Sequence, residues 1–356
     1  MLSLCIGKRQ KGGSIQSRDP PSHSEEWDHP NMPAAPRFPL SDHCDGRRFF
    51  NPRNHINRHW FQVLQWKLNA RPAVWPKWID VNPQTPPPAP KDGTLSATWI
   101  NHASFLLQTR LGSVLIDPVY SERASPFAWS GPRRVHAPGV TFDNLPTIDA
   151  ILISHDHYDH CDLQTLRLLS QRYPHARLIT PLGNGALART AGFKSSLITE
   201  LDWWDAHELA EGFHIRLTPS RHWSNRVRGL RNRRLWGGFF IHSGGRTAHF
   251  VGDTGYEAGL FGEIRQRCGG PDLAMIPIGA YEPRWFMEPQ HCNPAEAVQI
   301  HRDLGSRQSV AMHWGTFQLT DERRDAPVEA LEAALRAAGI PPGAFRALNP
   351  GESLTV

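Results

Sequence analysis

The 356-residue sequence has no run approaching the roughly 18 consecutive apolar residues of a membrane-spanning helix. Its opening, MLSLCIGKRQ, loses its apolar character at Gly7 and Lys8, so no signal peptide is expected either. Cysteine is scarce: Cys5, Cys44, Cys161, Cys268 and Cys292 make an odd number without a C-x-x-C pair, in a chain long enough to need no disulfide staples. Reduced thiols in a cytoplasmic setting fit that usage. There is no G-x-S-x-G elbow and no G-x-x-x-x-G-K-[ST] loop, so serine-hydrolase and P-loop chemistry lack their sequence motifs. Lysine is nearly absent, with 6 against 33 arginines.

What remains is a chain of mean hydropathy −0.46 with 39% hydrophobic residues, enough to bury a core. The net charge of +5 is local: Arg221, Arg226, Arg228, Arg231, Arg233 and Arg234 fall in one acid-free stretch, which points to an anionic partner at one place. Fourteen of the 31 prolines lie in the first 93 residues. Residues 1–45 read as a disordered tail. Residues 46–93 read as a Trp/Pro-rich arm with one amphipathic helix over Asn54–Ala70, packed on the main domain or touching a membrane. From Thr94 onward, short β-branched and aromatic runs are broken by Gly, Pro and Asp, with helical patterns over Leu163–Tyr173, Ala258–Cys268, Pro294–Leu304 and Val328–Ala338. Residues 94–356 are therefore expected to form a layered α/β domain.

The strongest chemical signal is Ser154-His155-Asp156-His157-Tyr158-Asp159-His160, directly after the apolar run Ala150–Ile153. So many imidazoles and carboxylates in one turn would each carry a desolvation cost without a partner, and metal ligation supplies that partner. His155 and His157 alternate to one side while Asp159 and His160 begin the next helix, a spacing that suits two metals side by side. Further donors should sit at later strand ends, where His222, Asp253 and His313 are the candidates. Nitrogen and oxygen ligands favour zinc, with Cys161 a neighbour and not a ligand.

The H-x-H-x-D-H run followed by His, Asp and His resembles the metallo-β-lactamase superfamily, which implies a four-layer αββα sandwich with a metal centre at one edge of its sheets. Ile116-Asp117-Pro118, Leu201-Asp202-Trp203-Trp204, Gly252-Asp253-Thr254-Gly255-Tyr256, Ile276–Met287 and Met312-His313-Trp314-Gly315-Thr316 are more closely similar to the N-acylphosphatidylethanolamine-hydrolysing phospholipase D family. That resemblance implies two zinc ions, one on His155, His157 and His222, the other on Asp159, His160 and His313, with Asp253 bridging. It also implies a histidine near the substrate phosphate at His291, and an aspartate that orients the metal-binding loop at Asp117.

The implied activity is hydrolysis of N-acylphosphatidylethanolamine to phosphatidic acid and N-acylethanolamine, with a metal-bridging hydroxide as nucleophile. His291, Asp159 and Asp253 are the catalytic candidates. Tyr158, Tyr281, Arg226, Arg228 and Trp223 are candidates for contact with substrate or membrane. The alternative is a related metallohydrolase acting on a soluble phosphodiester, a sugar-phosphate lactone or a nucleic acid. The expected partners are a phospholipid substrate and the anionic inner face of a membrane, touched peripherally, with nucleic acid a lesser expectation and a homodimer the expected assembly.

Overall fold

A computed structural model describes residues 37–53, 60–91, 93–226 and 230–356. Arg37–Val356 forms one compact unit. The elements in chain order are β1 (Leu40–Ser41), β2 (Cys44–Asp45), α1 (Trp60–Asn69), β3 (Leu95–Asn101), β4 (Ser104–Thr109), β5 (Gly112–Ile116) and β6 (Ala150–Leu152). There follow α2 (Leu163–Arg172), β7 (Arg177–Pro181), α3 (Gly185–Thr190), β8 (Ile198–Leu201), β9 (Ala206–Ala210), β10 (Phe213–Thr218), β11 (Gly238–Ser243) and β12 (Arg246–Phe250). The chain closes with α4 (Leu260–Cys268), β13 (Leu273–Pro277), α5 (Arg284–Met287), α6 (Pro294–Leu304), β14 (Gln308–Met312), α7 (Ala326–Ala337), β15 (Phe345–Arg346) and β16 (Ser353–Thr355).

Two seven-stranded sheets, ordered β16-β3-β4-β5-β6-β7-β8 and β15-β14-β13-β12-β11-β10-β9, face each other. The strand period of two sorts the side chains. Ala97, Trp99, Phe105, Leu107, Val114 and Ile116 point into the core between the sheets, where they meet Phe213, Ile215, Phe239, Phe250 and Met275. Their neighbours Ile100, Leu106, Leu115 and Ile151 point the other way and pack under α2 and α3. On the second sheet Phe240, Ala274, Ile276 and Ala311 do the same beneath α4, α6 and α7. Because both faces of the central strands are covered, those strands read as continuous apolar runs. The result is the αββα sandwich.

The topology concentrates strand ends. In the first sheet β3, β5 and β6 run in the same direction, since β4 is antiparallel to both β3 and β5 while β5 and β6 are parallel. In the second sheet β10, β12, β13 and β14 likewise share a direction. The segments leaving these seven strands carry, in order, His102, Asp117, His155–His160, His222, Asp253, His291 and His313. Helix starts stabilise those segments: Asp162 caps α2 by accepting from the Gln164 N–H, and Asn293 and Glu296 form a capping box ahead of Pro294 on α6.

The tail differs from the sequence expectation. Residues 1–36 lie outside the described residues, as do 54–59 of the expected helix, but residues 40–45 pair as a hairpin. Cys44 and Phe49 bury themselves in the core between the sheets, and His43 Nε2 lies 2.7 Å from Asp202 Oδ1. Those anchors are few among proline and charge, so average composition hid them. Among the described residues no cysteine is disulfide-bonded.

Candidate metal centre

Two donor sets converge where the strand ends meet. His155, His157, His222 and Asp253 place ligand atoms within 4.8 Å of one another, and His102, Asp159, His160 and His313 form a second such group. Asp253 Oδ2 faces both, at 3.9 Å from His155 Nε2, 3.7 Å from His222 Nε2, 3.3 Å from His160 Nε2 and 3.1 Å from His313 Nε2. Asp159 Oδ2 lies 3.3 Å from His313 Nε2.

The hydrogen bonds on the far side of each ring decide which nitrogens carry a lone pair. His222 Nδ1 is 3.0 Å from the Gln290 carbonyl, which only accepts, so that nitrogen holds the proton and Nε2 is left bare. His160 Nδ1 is 2.7 Å from Asp117 Oδ2 and carries a proton there, which leaves Nε2 as the nitrogen that faces Asp253 and His313. His155 Nδ1 is 3.0 Å from Ser154 Oγ, whose own proton goes to Asp117 Oδ2 at 2.5 Å, so His155 Nε2 is bare as well. His155 Nε2 and His222 Nε2 then stand 2.9 and 3.3 Å from His157 Nδ1, which holds at most one proton. Three imidazole nitrogens facing one another with one proton among them need a cation. The buried His160 Nε2, Asp253 Oδ1 and both nitrogens of His313 have no hydrogen-bond partner among the described residues. The donors therefore fit one or two metal ions, and their all N/O character suits zinc, iron or manganese.

The electrostatics show where positive charge is drawn. Burial holds His155 well below the usual imidazole range, His157 near 4 and His222 near 3. Burial also disfavours charge on His160 and His313, but Asp253 and Asp159 outweigh it, lifting His160 well above its ordinary value and His313 to about 9. Conversely, the carboxyls of Asp159 and Asp253 sit well below their ordinary value, because His160 and neighbouring histidines outweigh burial. Two ionised carboxylates buried among histidines attract positive charge.

Asp117, fully buried at φ 41°, accepts from Ser154 N at 2.7 Å as well as from Ser154 Oγ and His160. His291 is placed with Asp253 and His313, its ring centroid 5.3 Å from that of His313, and burial pushes its pKa well below the ordinary range. Tyr281 is half-buried and its hydroxyl is pushed up to about 12 by burial. Trp223 stands edge-on to His157 at 4.7 Å. Arg228 lies outside the described residues.

Arg226 turns inward. Its Nη1 donates to the carbonyls of Asp156 and Cys161 at 2.9 and 2.7 Å, its guanidinium covers the Tyr158 ring at 4.1 Å, and the Tyr158 hydroxyl donates to its carbonyl at 2.9 Å. Arg234 pairs with buried Asp156 at 3.0 Å, and Arg221 donates to the Tyr256 carbonyl at 3.0 Å. Three arginines of the run thus hold the protein's own loops together, and Arg226 also lines a cleft beside Tyr158. Buried carbonyls and a buried carboxylate next to a metal-binding turn need donors, and these arginines are the nearest.

His102 was not foreseen. It sits inside LSATWINHASFLLQT, which reads as one strand because no Gly, Pro or Asp interrupts it. The polar Asn101-His102 pair amid apolar neighbours was the available signal.

A family model described as the beta-lactamase superfamily domain matches residues 113–314. Over 250 residues the chain is 36% identical to an N-acyl-phosphatidylethanolamine-hydrolyzing phospholipase D of Caenorhabditis elegans, covering 67% of this chain and 70% of that protein. It is 38% identical over 285 residues to an uncharacterized protein of Mycobacterium tuberculosis, covering 78% of this chain and 74% of that one. A metallo hydrolase from Ignicoccus hospitalis has the same fold, with a TM-score of 0.56 at 21% identity over 74% of this chain and 98% of that structure. The chain belongs to the metallo-β-lactamase superfamily and, within it, closely resembles the N-acylphosphatidylethanolamine-hydrolysing phospholipases D.

Proposed function

We propose that this metal-dependent hydrolase is a dizinc phosphodiesterase of phospholipase D type, cleaving N-acylphosphatidylethanolamine to phosphatidic acid and N-acylethanolamine. The observation that carries the reading is the pair of donor sets sharing Asp253, in a chain 36% identical to an enzyme of that name. His155, His157 and His222 would hold one ion, Asp159, His160 and His313 the other, and Asp253 both. The chemistry such ions supply is Lewis acidity toward a phosphate oxygen and a lowered pKa for water.

The remaining work falls to the chain. Asp117, through Ser154 and His160, and the Gln290 carbonyl, through His222, hold ring protons at Nδ1 and so turn Nε2 of His155, His160 and His222 toward the metal positions. His291, beside Asp253 and His313, would offer its ring N–H as a hydrogen-bond donor to the leaving oxygen of the phosphodiester. Tyr158, clasped by Arg226, borders a cleft also lined by Arg123, Arg167 and Phe127. The exposed Phe127 and Trp129 rings, 5.3 Å apart, stand beside it. Three arginines against Glu122 and Asp162 in its walls, with an aromatic rim, suit an anionic amphiphile approaching from a lipid surface. Among the described residues no helix is long and apolar enough to cross a membrane.

Metal analysis and lipid turnover on one preparation test the proposal. About two zinc equivalents per chain, with N-acylethanolamine released from mixed micelles and release abolished in Asp253→Asn, is the expected result. Two equivalents without release from any N-acylated phospholipid would refute the substrate and turn attention to soluble phosphodiesters.

A further inference from the structure

The turn from β3 to β4 places His102 at φ 42°, in the left-handed region that non-glycine residues seldom occupy. Such a conformation persists where its surroundings over-determine it. Here the His102 N–H donates to Thr316 Oγ1 at 2.8 Å, and its carbonyl accepts from His313 N–H and from Trp99 Nε1–H, each at 2.9 Å. Thr316 Oγ1, having accepted from His102, is 2.9 Å from His136 Nε2, and His136 Nδ1 is 2.7 Å from the Ala137 carbonyl. The backbone of His102 is thereby tied to the segment that carries His313.

Its side chain reaches the centre itself. It is 1% exposed, its Nε2 is 3.1 Å from Asp159 Oδ2, and its ring centroid is 4.1 Å from that of His313. An ionised carboxylate oxygen only accepts, so the proton of this bond belongs to His102 Nε2. A nitrogen that carries a proton has no lone pair to offer a metal. Of the four residues grouped around the second position, His102 is the one that makes a hydrogen bond within the set, through Nε2 to Asp159.

We infer that His102 is a positioning residue. By donating to Asp159 it fixes how that carboxylate is turned, and so sets the metal affinity of the Asp159–His160–His313 half without ligating. The inference rests on reading that half as a metal site. It is separable from the proposed activity because its test reads metal at each half and not lipid turnover.

The experiment titrates zinc into the full-length apo protein against a chromophoric chelator, for wild type, His102→Phe and His102→Gln, with circular-dichroism melting as the folding control. In His102→Phe one equivalent is expected to weaken by about 10- to 100-fold while the other keeps its affinity. His102→Gln, whose amide N–H still donates to Asp159, should recover most of the loss. On cobalt substitution, the visible spectrum of saturated His102→Gln should match wild type, because the ligands are the same. Loss of one equivalent in both variants, or a changed cobalt spectrum in folded His102→Gln, would overturn the inference in favour of direct ligation. Unchanged affinity in both variants would overturn it outright, and a wild-type chain that takes no zinc would overturn it together with the metal reading.

Discussion

Asp117→Asn changes one oxygen to nitrogen at a buried position and should weaken both halves of the metal centre. The carboxylate accepts three hydrogen bonds, from Ser154 N, Ser154 Oγ and His160 Nδ1, at 2.7, 2.5 and 2.7 Å. An amide has a single accepting oxygen, so its NH2 group must confront at least one of those donors. Losing one hydrogen bond to a charged group costs about 1.5–3 kcal/mol. If His160 is the donor confronted, its ring escapes by moving the proton to Nε2, which removes the lone pair facing the metal. Ser154 Oγ bonds the same oxygen as His160, so its hydroxyl turns at the same time and His155 Nδ1 loses its acceptor.

Loss of an outer partner of this kind lowers metal affinity by about 10- to 100-fold. That factor corresponds to about 1.4–2.8 kcal/mol, in line with the single lost bond. The assay is chelator competition on the apo protein, with cobalt spectra to report ligand geometry. Asp117→Asn should show both equivalents weakened, in contrast to the one-sided effect foreseen for His102→Phe. A folded Asp117→Asn whose titration superimposes on wild type would refute the claim that Asp117 sets the tautomers.

The Gly279 Cβ position lies 2.2 Å from the His313 carbonyl, so Gly279→Ala must push the two backbones apart; overpacking of this kind costs about 1–3 kcal/mol, and both a lowered melting temperature and weaker zinc binding are expected. Burial lowers the His43 pKa, but the hydrogen bonds to Asp202 and Asp42 more than offset it, so the folded value stands above the ordinary 6.5. The stabilisation this supplies is complete below the unfolded pKa and disappears as pH rises through the folded one. Wild type minus His43→Gln should therefore show a stability difference that is larger at pH 5.5 than at pH 8.5 in urea unfolding, and a flat difference would count against the pairing. Arg226→Ala should lower thermal stability through loss of its bonds to the Asp156 and Cys161 carbonyls, while leaving the salt dependence of vesicle binding nearly unaltered. A large fall in vesicle binding with unchanged melting would reverse that assignment.

Much of the architecture could be read locally. The helix pattern over Pro294–Leu304 coincides with α6, and that over Leu163–Tyr173 ends one residue beyond α2. Both carry their start signals in adjacent residues, Asp162 and the Asn293–Glu296 box. The short helices α3 and α5 leave no periodic signal in the sequence, because four to six residues hold too little periodicity to stand out. The β3–β4 turn was also hidden, since its reversal is made by His102 at positive φ and not by a glycine.

The crowded set of nitrogen and oxygen donors is legible in local sequence, because His155 to His160 lie in one turn and their cost of burial calls for a cation. Strand-end position picked out His222, Asp253 and His313, which follow the strands that deliver them. What Arg221, Arg226 and Arg234 do depends on the tertiary structure, since whether a guanidinium meets solvent or a buried carbonyl depends on which loop folds over it. Tertiary structure alone brought His102, 57 residues away in the chain, to Asp159. Contacts between separate strand ends are set by sheet order and direction, and no local pattern encodes them.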